Sequence, residues 1–159
     1  MKKGILLVLV LILFATVSGC EKEEDPVASD LREYIQSMES VFIMEDSVNT
    51  SFNSVSGDNY TDSETTYNVI MNETLPKMNN VRNAAGNIKP STPTVRNLHR
   101  EYEQFLDDKY LSILTFSNGI SSSDTDKLHA AVESLIKANQ KKQDYFDALE
   151  DLTYELFQD

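Results

Sequence analysis

PVASDLREYIQSMESVFIMEDSVNTSFNSVSGD, residues 26–58, is the stretch whose reading decides the fold. Its apolar side chains fall at Leu31, Tyr34, Met38, Val41, Val48, Phe52 and Val55, with Ile35 and Phe42 widening the band. Steps of three and four return to one side of a 3.6-residue helix, whereas a half-buried strand would alternate every second residue. One long amphipathic helix is predicted. Asp25-Pro26 supplies its start, an N-cap followed by a proline whose fixed φ suits the first turn. Gly57-Asp58 supplies its stop, because glycine takes the left-handed conformation at low cost. Glu45 is the one gap in the band.

The same pattern recurs three times toward the C-terminus. Thr61 to Glu64 has capping-box spacing, and Tyr67, Ile70, Met71, Leu75, Met78, Val81, Ala85 and Ile88 form a second stripe that Gly86-Asn87 and Lys89-Pro90-Ser91 close. Pro76 lies inside it. A proline there removes the bond to the carbonyl of Asn72, so a kink or break is expected. Thr92-Pro93 repeats the cap-and-proline start for a third stripe, Val95, Leu98, Tyr102, Phe105, Leu106, Ile113 and Phe116, expected to end near Asn118-Gly119. After a polar turn at 121–124, with Ser123 and Asp126 spaced as a capping box, the fourth stripe carries Leu128, Val132, Leu135, Ile136, Tyr145, Phe146, Leu149, Leu152, Leu156 and Phe157. Four long segments with short loops bury their stripes most simply as an all-α, antiparallel up-down-up-down four-helix bundle over residues 26–159. A three-helix bundle, with the second segment broken at Pro76, is the alternative.

Composition agrees with helices and narrows the function classes. Five glycines and four prolines in 159 residues leave few breakers, and tryptophan is absent. The many Ser, Thr and Asn lower intrinsic helix propensity, so packing must supply stability. The formal charge is −12. Such a field repels phosphate backbones and anionic headgroups, which argues against nucleic-acid binding and against electrostatic docking on a bilayer.

Some polar residues interrupt the apolar stripes. Glu45, Lys109, Asn139 and Lys142 all fall near mid-helix, so they can form one polar layer across the bundle. Such a layer fixes register or marks a small-ligand site; otherwise the long side chains reach solvent with only their stems buried. Burial discriminates: lysines in a cavity facing Glu45 favour a site, and amines in water exclude one. For a metal the pattern is poor, since no Glu-x-x-His is present and there are two histidines, His99 and His129; the nearest approach, Asp126-x-x-His129, has its Asp in the expected cap, and His129 with Glu133, four apart, could form one edge of a site. Met71 and Met78, seven apart, read as core rather than copper ligands. No nucleophile elbow, phosphate-binding glycine loop or haem-attachment motif occurs. No catalytic residue, metal or cofactor is therefore expected, and the chain reads as non-enzymatic. Asn49, Asn59 and Asn72 fit the glycosylation acceptor pattern, and Asn59 is the best placed, in an expected loop. Tyr110, Tyr154 and Phe157, at stripe edges, are the aromatic residues most open to exposure.

The N-terminus is of another kind. Lys2 and Lys3 precede an apolar run from Gly4 to Val17, which ends at Val17-Ser18-Gly19-Cys20. A run of about 14 residues is signal-peptide length, short of the ~20 a spanning helix needs. Together these features resemble the signal peptide and lipobox of prokaryotic membrane lipoproteins. The resemblance implies removal of residues 1–19, lipid with palmitate-type acyl chains on Cys20, and exposure on the extracytoplasmic face of a cell membrane. Loss of Lys2 and Lys3 makes the mature charge −14. Cys20 is the only cysteine, so no disulfide can form within the chain, and residues 20–25 are a short acidic tether. The functional expectation is an interaction module that binds an envelope protein or a cell-wall component; a small-molecule or metal-binding bundle using the mid-bundle polar layer is the alternative.

Overall fold

The computed structural model describes residues 25–157. The signal segment, Cys20 and the tether up to Glu24 lie outside the described residues. Helix α1 is Pro26–Asn53, with Asp25 accepting the Val27 amide at 2.8 Å and proline at the first position. Helix α2 spans 63–86, α3 is Pro93–Ser122 and α4 is Thr125–Phe157. Among the described residues there is no strand, and no helix is long and apolar enough to cross a membrane. The chain is thus all-helical with four long segments, and the second is not split into separate elements.

Local chemistry explains where the boundaries fall. Helix α1 stops at Asn53 because the Ser54 and Ser56 hydroxyls donate to the carbonyls of Ser51 and Phe52, at 2.8 and 2.9 Å, and so take over acceptors of the last turn. Gly57 has φ +59, as expected of the stop, but it opens a separate 3-10 turn, Gly57–Asn59. The α2 cap is Asp62 rather than Thr61: its carboxylate accepts both the amide and the hydroxyl of Thr65 at 2.8 Å. A carboxylate is the stronger acceptor for the positive end of a helix. Pro76 is absorbed by a π-helical stretch, Ile70–Thr74, in which the Leu75 amide bonds the Ile70 carbonyl five residues back. The widened turn shifts the hydrogen-bond register just before the proline, so the helix continues through it.

The α3–α4 turn also departs from expectation. Helix α3 runs on to Ser122, and Ser123 takes the left-handed conformation at φ 52 while the Asp124 amide bonds back to the Gly119 carbonyl at 2.9 Å. The next cap is Asp124, which accepts the Lys127 amide at 3.0 Å. Gly119 is therefore a helix residue, and its role is clearance: a Cβ there would lie 2.8 Å from Leu128 Cδ2 and 3.1 Å from the Leu128 backbone nitrogen.

Packing is uneven among the helices. α4 lies chiefly on α3, α2 fits between α1 and α3, and α1 touches α4 at few points. Leu31, Met38, Val41, Val48, Ile70, Met78, Val81, Tyr102, Phe105, Leu106, Ile113 and Tyr145 are buried almost completely. Two residues assigned to the α4 stripe face outward instead: Val132 is 45% exposed and Ile136 63%. Ala131, Ala138, Tyr145 and Leu149 are buried in their place, with Leu128, Leu135, Lys142, Leu152 and Leu156 half-buried alongside. This seam steps by three and four in turn, the period of closely wound helices. Alanine wins over valine and isoleucine because a small side chain lets the α3 and α4 backbones approach. Of the edge aromatics, Tyr154 is exposed, while Tyr110 and Phe157 are half-buried beneath the guanidinium groups of Arg82 and Arg32.

Gly119→Ala tests this close approach. Helix propensity alone forecasts a gain of about 1 kcal/mol, but overpacking against Leu128 is expected to reverse the sign and cost about 1–3 kcal/mol in urea denaturation.

Candidate functional site

Glu45 is brought by α1 into the centre of the domain, where its side chain is 2% exposed. Lys109 of α3, 5% exposed, donates to Oε1 at 2.6 Å and to Asn49 Oδ1 at 2.6 Å. Lys142 of α4, 25% exposed, donates to Oε2, and the Tyr102 hydroxyl donates to the same oxygen at 3.2 Å. Both carboxylate oxygens of this α1 residue are thus bonded by donors from α3 and α4. The ammonium groups also lie over aromatic faces, Lys109 at 5.3 Å and Lys142 at 5.4 Å from the Phe105 centroid. Burial pushes the Glu45 carboxyl up, but the Lys109 and Lys142 charges together outweigh it and hold the group below its ordinary 4.5. Burial lowers Lys109; Glu45 resists that shift and Lys142 adds to it.

Three of the four residues expected in the layer are therefore together, and the fourth is not. Asn139 is exposed. It follows buried Ala138, and one residue is about 100° of helix rotation, which carries its amide to the outer surface. Asn49, Tyr102 and His99 join the polar interior instead. Their signal was available, since Asn49 lies four residues beyond Glu45 on the same face.

Two surface cavities, one of about 310 Å³ lined by Arg82, Asn83, Glu103, Leu106 and Asp107 and one of about 190 Å³ lined by Phe52, Ser56, Gly57, Ser112, Phe116, Ala131, Val132 and Leu135, include none of Glu45, Lys109 or Lys142. Among the described residues no group of three or more His, Cys, Asp or Glu side chains could hold a metal ion. Met78 is core, and Met71 packs partly buried against it.

Further polar contacts tie the helices above and below this layer. Buried Asp30 of α1 accepts the Ser91 amide at 2.9 Å, the Thr92 amide at 2.8 Å and the Thr92 hydroxyl at 2.6 Å, so α1 supplies a second carboxylate cap to the start of α3. Burial raises its pKa, but the three donors outweigh that effect and hold it low. The sign could be read from Asp30 sitting next to Leu31 on the inward face. Tyr34 and Tyr145 share a hydrogen bond of 2.9 Å, with His99 Nδ1 3.4 Å from the Tyr34 oxygen. Toward the far end, Ser51 and Thr74 pair at 3.0 Å and the Thr66 hydroxyl donates to the Val55 carbonyl at 3.1 Å. Of the acceptor asparagines, Asn49 is engaged by Lys109, and exposed Asn59 donates from Nδ2 to the Asn53 carbonyl at 2.8 Å.

This geometry predicts a strong double-mutant coupling. Glu45→Leu alone leaves two ammonium groups without their carboxylate and is expected to cost about 3–5 kcal/mol, whereas Glu45→Leu with Lys109→Met should recover much of that loss. The depressed Glu45 carboxyl also sets a pH dependence. Its stabilisation is complete above the unfolded value of 4.5 and is lost as pH falls through the lower folded value, so acid denaturation should be blunted in the double variant.

No curated protein and no solved structure matches this chain. A family model described as EMYY-motif containing lipoprotein matches residues 1–151, which takes in the signal segment, Cys20 and nearly all of the helical domain. The uninterrupted tetrapeptide Glu-Met-Tyr-Tyr does not occur in the chain. With the match running from the lipobox through the saturated polar layer, the chain belongs to the family of EMYY-motif containing lipoproteins.

Proposed function

We propose that this lipoprotein is a non-enzymatic interaction module, held by lipid on Cys20 at the extracytoplasmic face of a cell membrane, that presents its helix faces to an envelope protein or a cell-wall component. The scaffold in this reading is an up-down-up-down arrangement of α1 to α4, with α1 and α3 running in the same sense. The match of Asp30 with Thr92, Glu45 with Lys109 and Phe52 with Phe116 supports that order. The tether from Cys20 to Asp25 spans at most about 20 Å, so the domain stands close to the bilayer.

The observation that carries the reading is the contrast between a closed interior and open apolar side chains outside. Glu45 and Lys109 are buried and bonded to each other, which supports a structural role for the polar layer, while Ile43, Leu111, Val132 and Ile136 project from α1, α3 and α4 into solvent. Apolar groups of this size on regular helices are the kind of surface that a protein partner buries. The high negative charge keeps copies soluble and disfavours anionic partners.

Two measurements test this reading. Native mass spectrometry of the protein extracted from its host in mild detergent should show a lipidated chain with a protein or cell-wall partner, and Ile136→Glu should remove that partner without unfolding the domain. A bound small molecule as the sole companion would overturn the reading. Separately, Cys20→Ser should leave an uncleaved precursor that takes up no lipid label; labelling equal to wild type would defeat the anchor assignment.

A further inference from the structure

We propose that His99 is a proton-operated latch that controls how firmly α4 is held to α1. The imidazole lies on α3 with 5% of its surface exposed, edge-on to Tyr34 of α1 with ring centroids 5.5 Å apart. Nδ1 is 3.4 Å from the Tyr34 oxygen, and that oxygen is 2.9 Å from the Tyr145 oxygen of α4. Three helices therefore meet in one polar chain. Each of its groups is buried, and the Tyr34–Tyr145 bond joins α1 and α4 alongside the packing of Phe42 on Tyr145 and Phe146 and the Lys142–Glu45 ion pair.

The charge beside the ring assigns the protons. Nε2 has no hydrogen-bond partner but faces the Glu103 carboxylate at 3.6 Å, and that negative charge favours the N–H of the neutral ring on this nitrogen. Nδ1 is then an acceptor. Tyr34 donates to it, and Tyr145 donates to Tyr34.

A proton added at Nδ1 reverses this order. The new N–H donates to the Tyr34 oxygen, Tyr34 can no longer donate to Nδ1, and one of the two hydroxyl hydrogens of Tyr34 and Tyr145 is left without an acceptor in a buried site. A buried hydroxyl donor without a partner is costly, as is a buried cation. The charges that face the ring give mixed support. Glu103 on α3 attracts the imidazolium from a half-open position, Lys89 in the α2–α3 loop repels it, and the Tyr34 and Tyr145 hydroxyls are neutral. Burial is the largest influence and keeps the neutral ring favoured below its ordinary 6.5. The linkage has one sign: stability contributed by neutral His99 is complete above 6.5 and declines as pH falls toward the lower folded value. Relief comes from swinging the imidazolium toward Glu103, which breaks the Tyr34 contact and slackens the α1–α4 seam.

Nuclear magnetic resonance titration of the lipidated protein in mild detergent should show His99 changing below its ordinary 6.5, with the Tyr34 and Tyr145 ring signals moving at the His99 midpoint. Hydrogen exchange, corrected for intrinsic rates, should rise about tenfold in α4 around Tyr145 relative to the middle of α3 between about pH 7.5 and about pH 5. His99→Gln should abolish that rise. Glu103→Gln, on an exposed side chain, should move the His99 midpoint further down, which a packing role alone would not do. A His99 midpoint at or above its ordinary 6.5, tyrosine signals that ignore it, or exchange that rises equally in all four helices would overturn the latch.

Discussion

A single carboxylate, Glu45, is the constraint around which the four helices are arranged. An isolated charge at that depth would cost several kcal/mol after relaxation, so the fold is acceptable only where Lys109, Lys142 and Tyr102 arrive together at its two oxygens. Sliding α1, α3 or α4 by a turn breaks the set. Apolar contacts alone are far more permissive, because one leucine packs almost as well against the next turn as against its own. The polar layer thus supplies register, and the apolar seams around it supply most of the stabilisation.

The layers differ in what they demand of their surroundings. Asp30 needs only backbone and hydroxyl donors at the start of α3, which a helix N-terminus offers without any lysine. The His99–Tyr34–Tyr145 chain is neutral and tolerates burial at low cost, but it is also the one layer whose bonding depends on a proton near physiological pH. Between the His99–Tyr34–Tyr145 chain and the Glu45 layer the rings of Phe42, Tyr102, Tyr145 and Phe146 pack at centroid distances of 4.9 to 6.5 Å, so the two layers are joined by one aromatic cluster.

Local signals were good guides where one residue and its own backbone decide the outcome. Asp25-Pro26 and Thr92-Pro93 start their helices as their chemistry requires, and Glu45, Lys109 and Lys142 interrupt apolar stripes because they face inward. The signals failed where two elements compete. Val132 and Ile136 look more like core than Ala131 and Ala138, yet it is the smaller pair that faces inward on the seam of α4. Asn139 was assigned to the polar layer from its depth along the helix, and a rotation of one residue from Ala138 removes it.

Helix count, helix starts and the acidic, lipobox-led character of the chain are determined by sequence, since each depends on spacing or composition within a few turns. Partners across helices were decided only by tertiary structure. Whether Lys109 ends in water or against Glu45, whether Pro76 breaks α2 or follows a π-helical turn, and whether His99 serves a metal or a tyrosine all depend on atoms separated by tens of residues. Periodicity reports which side of a helix is apolar; it carries no information on the rotation and separation of one helix against another, and those two quantities set which polar groups meet.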